Sequence, residues 1–113
     1  MDITQTSLSG VPTLVVTGDI DHSTADLFAS AVEHSLRGND ALLLDLAGCP
    51  YLDSGGLAVV LSTVQGLPPN GWLGVMGCNP NVGRLFQIIG LETQPGFRRF
   101  SSRQQALSAL AQG

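Results

Sequence analysis

Residues 41–61 read ALLLDLAGCPYLDSGGLAVVL, and most of the fold follows from how this stretch changes character along its length. Ala41 to Leu46 is an apolar run only six residues long. A run of that length predicts a strand covered on both faces, as in a sheet with helices against it. Gly48-Cys49-Pro50 breaks the run, and Leu57-Ala58-Val59-Val60-Leu61 then predicts a helix that ends near Gln65-Gly66. Asp53 and Ser54 stand at the joint, where the first N–H groups of a helix need acceptors, so one of the two serves as N-cap. Gly55 and Gly56 are harder to place, because a glycine inside a helix costs about 1 kcal/mol relative to alanine. They suit a first turn that another backbone approaches closely, or a helix packed tightly on its own sheet.

Outward from this joint the same alternation repeats. Ile3–Leu8 and Thr13–Thr17 predict two short strands separated by the turn-rich Ser9-Gly10-Val11-Pro12. Gly18-Asp19-Ile20-Asp21 leads to a helix begun by Ser23, with Asp26 three residues on completing a capping-box pattern. Ala25, Phe28, Ala29, Val32 and Leu36 form its apolar stripe, and Gly38-Asn39 stops it. Leu67–Gly71 is a compact loop, and Trp72–Met76 predicts another buried strand. Asn79 caps the next helix with Pro80 in its first turn; Val82, Leu85, Phe86 and Ile89 line one face, and Gly90 closes it. Phe97–Phe100 fits an edge strand, and Ser101 with Gln104, or Ser102 with Gln105, caps a last helix through Leu110. Strands alternating with helices give an α/β class: one sheet with helices packed on it, within a single domain over residues 1–113.

Composition narrows the function. The net charge is −4, lysine is absent, and the five basic residues are Arg37, Arg84, Arg98, Arg99 and Arg103. With no cationic stripe for phosphates, nucleic acid and anionic membrane are poor partners. Only 12% of residues are charged, which suits contact with another protein. Cys49 and Cys78 form no metal or redox motif and are expected as reduced thiols in a cytoplasmic protein. No secretion signal or spanning segment is evident. No cofactor and no metal site is expected.

Asp53-Ser54-Gly55-Gly56 also occurs around the nucleophile of trypsin-like proteases, which are all-β double barrels with a histidine base. Here helix-forming residues follow the tetrapeptide. An α/β-hydrolase elbow needs G-x-S-x-G, and Leu52 occupies the first glycine position. His22 lies beside a helix start and His34 within a helix, so neither is placed as a base. A serine without a base is a weak nucleophile, and no catalytic residue is assigned. As a modification acceptor Ser54 makes more sense. A phosphate there gains from the helix dipole and free N–H groups, and loses to repulsion from Asp53 and, if the sheet brings them close, Asp19 or Asp21. Such a phosphate disturbs an interface more readily than a fold.

Over Ile3 to Ala111 the chain resembles a STAS-domain anti-sigma factor antagonist of the bacterial partner-switching family. The resemblance rests on Gly18-Asp19-Ile20-Asp21, on Leu43–Gly48 running into Tyr51-Leu52-Asp53-Ser54-Gly55-Gly56-Leu57, on Asn79–Phe86 with Ile89-Gly90-Leu91, and on Gln105-Ala106-Leu107. It implies the STAS fold, a single mixed sheet of four to five strands with about four helices. It also implies a regulatory binding protein, not an enzyme. The unmodified form would bind an anti-sigma factor that is also a GHKL-type serine kinase and so release a sigma factor. Phosphorylation of Ser54 would end the complex, and a PP2C-type phosphatase would restore it. Asp19, Asp21, Asp53, Gly55, Gly56 and Leu57 map to partner contact. The family usually carries a second hydroxyl residue where Gly55 stands, which leaves one acceptor here, and the second helix and its following loop look shorter. An unphosphorylated STAS scaffold, or a ligand-sensing piece of a larger complex, is the second reading.

Overall fold

The computed structural model describes residues 1–111. Five strands form one sheet in the order β1-β2-β3-β4-β5, with β1 Asp2–Leu8, β2 Val11–Thr17, β3 Ala41–Gly48, β4 Trp72–Met76 and β5 Phe97–Phe100. β1 and β2 are an antiparallel hairpin, whereas β2 to β5 run parallel, so the sheet is mixed. The hairpin turn is tighter than the sequence suggests. Only Ser9 and Gly10 form it, both with positive φ (50° and 81°), the backbone of a two-residue turn that matches strand twist. Val11 and Pro12 already belong to β2; Pro12 pairs with Ser7 and lies just before the first β2–β3 rung, Thr13 with Leu43, so its missing N–H leaves no gap.

The parallel crossovers are α1 (Ala25–Leu36), α2 (Ser54–Gln65) and α3 (Pro80–Ile88), with a single 3-10 turn at Leu91–Thr93, and α4 (Arg103–Ala111) follows β5. Phe28, Val32, Val60, Val64, Val82 and Phe86 from α1 to α3 pack with Leu14, Val16, Leu42, Leu44, Leu73 and Val75 on one face of the sheet. On the opposite face α4 sets Ala106 and Leu107 against Leu43, Met76 and Phe100. The leucine run is therefore apolar throughout because alternate residues face two cores. α3 ends at Ile88 with Ile89 as its C-cap, and Gly90 closes it as expected, in the left-handed conformation (φ 76°) from which the 3-10 turn starts.

All four parallel strands end at the same side of the sheet, where the crossover helices begin. A bulge sharpens this end: Val15 pairs with Asp45 but Thr17 pairs with Gly48, so β3 holds one residue more than β2. The Asp45 carboxylate accepts the Ala47 N–H (3.1 Å) inside that bulge, which explains a charged residue in an otherwise apolar strand.

Candidate functional site

Beyond the bulge the two chains do not part. Gly18 N–H donates to the Gly48 carbonyl (2.9 Å), Ile20 N–H to the Tyr51 carbonyl (3.0 Å), and Asp53 N–H to the Ile20 carbonyl (3.0 Å). Ile20 and Leu52 form a parallel bridge with both side chains buried. The loop carrying Asp19 and Asp21 is thereby bonded to the loop that carries Asp53 and Ser54, although more than 30 residues separate them in sequence.

Between Asp53 and Ser54, Asp53 is the N-cap. Its backbone is extended (φ −92°, ψ −173°), and its Oδ1 accepts from the N–H groups of Gly55 (2.9 Å) and Gly56 (3.2 Å). Ser54 is the first residue of α2 and its side chain is exposed. The amides expected to be free for a phosphate on Ser54 are therefore held by the neighbouring carboxylate. What remains for such a phosphate is the helix dipole, set against the repulsion of Asp53.

The two glycines differ. A Cβ on Gly56 would lie 2.4 Å from Leu52 Cδ1 and 2.8 Å from Ile20 Cγ2, so the helix starts in contact with the bridging pair and only glycine fits. Gly55 is less confined: a Cβ there would approach Asp53 Oδ1 to 3.2 Å, a tight contact, and meet the Ala25 Cβ of α1 at an ordinary 3.5 Å. Tight packing of α2 on its own sheet accounts for Gly56. Gly56 is buried, so its share in a partner surface is limited to this close approach, while Leu57 is half-buried.

The start of α1 departs from the expected Ser23/Asp26 capping box. The helix begins at Ala25 with Thr24 at the N-cap position. Asp21 takes the acceptor role earlier in the chain: its Oδ1 receives the Ser23 N–H (2.9 Å), the Ser23 hydroxyl (2.6 Å) and the Thr24 hydroxyl (3.3 Å). A carboxylate two residues upstream closes a local turn onto Ser23 before a hydroxyl cap can form. The Ser23 hydroxyl foremost, then the Ser23 N–H, holds the Asp21 carboxyl below its ordinary pKa of 3.8. Thr24 turns back, accepting from Asp21 N–H (2.9 Å) and lying 3.2 Å from the Asp19 carbonyl. Asp19 and Asp26 are exposed.

Three residues at this end escaped the sequence reading as site residues. Asn79 caps α3 through Oδ1 to Val82 N–H (2.9 Å), as expected, but its Nδ2 also donates to the Pro50 carbonyl (2.9 Å) and so ties α3 to the Ser54 loop. Asparagine, unlike aspartate, carries a donor as well as an acceptor, on two separate atoms that can serve different partners, and that was the available signal. Tyr51 is 53% exposed and Leu27 58% exposed, large apolar groups on the strand-end side of the molecule. The α1 stripe takes in Phe28 and leaves Leu27 off the buried face, and that was the available signal for Leu27. His22 and His34 are exposed, and neither hydrogen-bonds Ser54 among the described residues. Cys49 is buried, its thiol directed at the Tyr51 carbonyl (3.2 Å); burial raises its pKa, and both cysteines are free. Among the described residues no cluster of three potential metal ligands exists, and no helix is long and apolar enough to cross a membrane.

Comparison with known proteins converges on one family. The family model described as "Mlab, STAS domain" matches residues 3–99. The anti-sigma-F factor antagonist RsfB of Mycobacterium tuberculosis is 29% identical over 112 residues, covering 98% of this chain and 90% of that protein. The crystal structure of an anti-sigma factor antagonist from Mycobacterium paratuberculosis superposes with a TM-score of 0.84 at 27% identity, over 97% of this chain and 93% of that one. The Bacillus cell-fate determinant SpoIIAA in its phosphorylated form gives a TM-score of 0.72 at 14% identity, over 96% and 99%, a likeness of fold.

Proposed function

Because the chain belongs to the STAS-domain family, we propose that it is an anti-sigma factor antagonist, a regulatory binding protein switched by phosphorylation of Ser54. The observation that carries this reading is the placing of Ser54: an exposed hydroxyl at the first position of α2, on a turn held rigid by the Asp53 cap and the Ile20–Leu52 bridge. A kinase active site can reach that hydroxyl, and the hydroxyl supports none of the packing beneath it. The names of the relatives, RsfB among them, point the same way.

In the unmodified state the exposed Asp19, the Asp53–Leu57 turn and the adjoining Asp21 loop form the binding surface. The partner is an anti-sigma factor of the GHKL serine-kinase type, which brings its own ATP; binding it releases a sigma factor. Phosphorylation adds about −1.5 to −2 charges beside Asp53, whose own carboxylate already occupies the Gly55 and Gly56 amides. The new charge finds no amide cradle there. It acts outward, by repulsion and desolvation against the bound partner, and the complex dissociates. A PP2C-type phosphatase restores the binding form. The chain contributes no catalytic group to either step.

The test is direct. Wild type and Ser54→Ala are incubated with ATP and lysate of the native host, and phosphate is located by peptide mass spectrometry. Phosphate on Ser54, absent from the variant, is the expected result. No phosphate, in lysate that modifies another antagonist, replaces this reading by an unmodified STAS scaffold in a larger complex.

A further inference from the structure

The two edges of the sheet are unlike. β5 is four residues long and carries Arg98 and Arg99, a short and charged edge of the kind that resists strand pairing. β1, at the other edge, is seven residues long and pairs with β2 without a bulge from Asp2–Thr17 to Leu8–Val11. It has no proline, no basic residue and a single charge, Asp2. Thr4, Gln5, Thr6 and Ser7 are all exposed. β1 is the end strand of the sheet and pairs with β2 alone, which leaves the backbone groups of its outer edge without a strand partner.

The hairpin fixes which backbone groups of β1 are free. In a two-residue hairpin the flanking residues, here Leu8 and Val11, exchange both hydrogen bonds. Alternation then turns Leu8, Thr6, Thr4 and Asp2 toward β2, and directs the N–H and C=O groups of Ile3, Gln5 and Ser7 outward. An antiparallel copy of the same strand meets these outward groups in phase when Gln5 sits opposite Gln5 of the copy. That register also pairs Ile3 with Ser7, Thr4 with Thr6 and Asp2 with Leu8, so the whole strand is used. Three hydrogen-bonded pairs form, threonines face threonines across the close pairs, and no like charges meet.

We propose that β1 is a self-association edge, through which two copies of this chain pair antiparallel about a two-fold axis at Gln5 and continue the sheet across the dimer. Such an interface is isologous and closes at two subunits. It lies on the far edge from β4 and β5 and does not depend on the phosphorylation reading.

The experiment is sedimentation of the full chain from low micromolar to near-millimolar concentration, with Gln5→Pro and Gln5→Lys beside it. Gln5 N–H points away from β2, so Gln5→Pro keeps the hairpin ladder and removes both central intermolecular bonds; Gln5→Lys sets two ammonium groups face to face. The wild type is expected to dimerise with concentration, and both variants to associate at least about tenfold more weakly with an unchanged circular dichroism spectrum. Register is read by oxidative cross-linking in a Cys78→Ser background. Gln5→Cys brings its Cα atoms about 5.5 Å apart, within disulfide range, and forms a covalent dimer, whereas Thr4→Cys, opposite Thr6, does not. A wild type that stays monomeric across the series, or a dimer indifferent to both Gln5 variants, overturns the proposal.

Discussion

Ile20 and Leu52 pair as a single parallel rung beyond the ends of β2 and β3, and a Cβ on Gly56 would lie within 2.8 Å of both side chains. This rung is the hinge point of the candidate site. It delivers Asp19 and Asp21 to the side of Asp53 and Ser54, and it sets the depth at which α2 begins. The glycine pair is thus not one feature but two, with a severe packing constraint at Gly56 and a milder one, against the capping carboxylate, at Gly55.

Substitution at these glycines should separate them. Gly56→Ala forces Leu52 and Ile20 apart in a packed core and is expected to cost about 1–3 kcal/mol, net of any helix-propensity gain. Gly55→Ala meets ordinary contact with Ala25 and a closer one, 3.2 Å, with the capping Asp53 Oδ1, and should lie within about 1 kcal/mol of wild type, on either side. Urea denaturation of the two variants checks the contrast.

Asp53→Ala removes the acceptor of two helix N–H groups and should lower stability by about 1 kcal/mol. Ser54→Ala, at an exposed position that caps nothing, should stay within about 0.5 kcal/mol. Equal losses in the two variants would show that the capping role is shared.

Ser54→Asp should leave the melting temperature nearly unchanged while weakening binding of the anti-sigma partner by tenfold or more, the size of one charged contact turned repulsive. Isothermal titration against the partner kinase reads this. Unchanged affinity would argue against the switch.

The Asp21 turn makes stability depend on pH with a definite sign. Its carboxyl titrates below the ordinary 3.8 when folded, so its contribution is present above that value and is lost as pH falls through the lower, folded pKa. Asp21→Asn should therefore melt below wild type at pH 7, and the gap should close in strongly acid solution. Thermal melts over a pH series follow it.

Asn79→Asp keeps the acceptor that caps α3 and loses the donor to the Pro50 carbonyl. Hydrogen exchange should quicken at the Tyr51–Gly55 amides while α3 stays protected. Uniform loss of protection would mean that the cap, not the tether, was damaged.

What the amino-acid order determined by itself is what short-range chemistry controls. The apolar run from Ala41, the helix stripe of α1, the Asn79-Pro80 start and, of the two caps offered for α4, Ser102 with Gln105 formed as read, because periodicity and capping act within a few residues. The α3 stripe formed over Val82, Leu85 and Phe86, while Ile89 lies at the C-cap and is exposed. The resemblance extended that reading to the family. Local rules failed where two acceptors compete: Asp21 displaces Ser23 as the organiser of the α1 start, and Asp53 takes the amides that seemed open to a phosphate on Ser54. Only the tertiary structure decided that Ile20 bridges Leu52, that Asn79 reaches Pro50, and that β1 remains an open edge. These depend on residues distant in sequence meeting at one end or one edge of the sheet, and strand order sets such meetings where no window of neighbouring residues can.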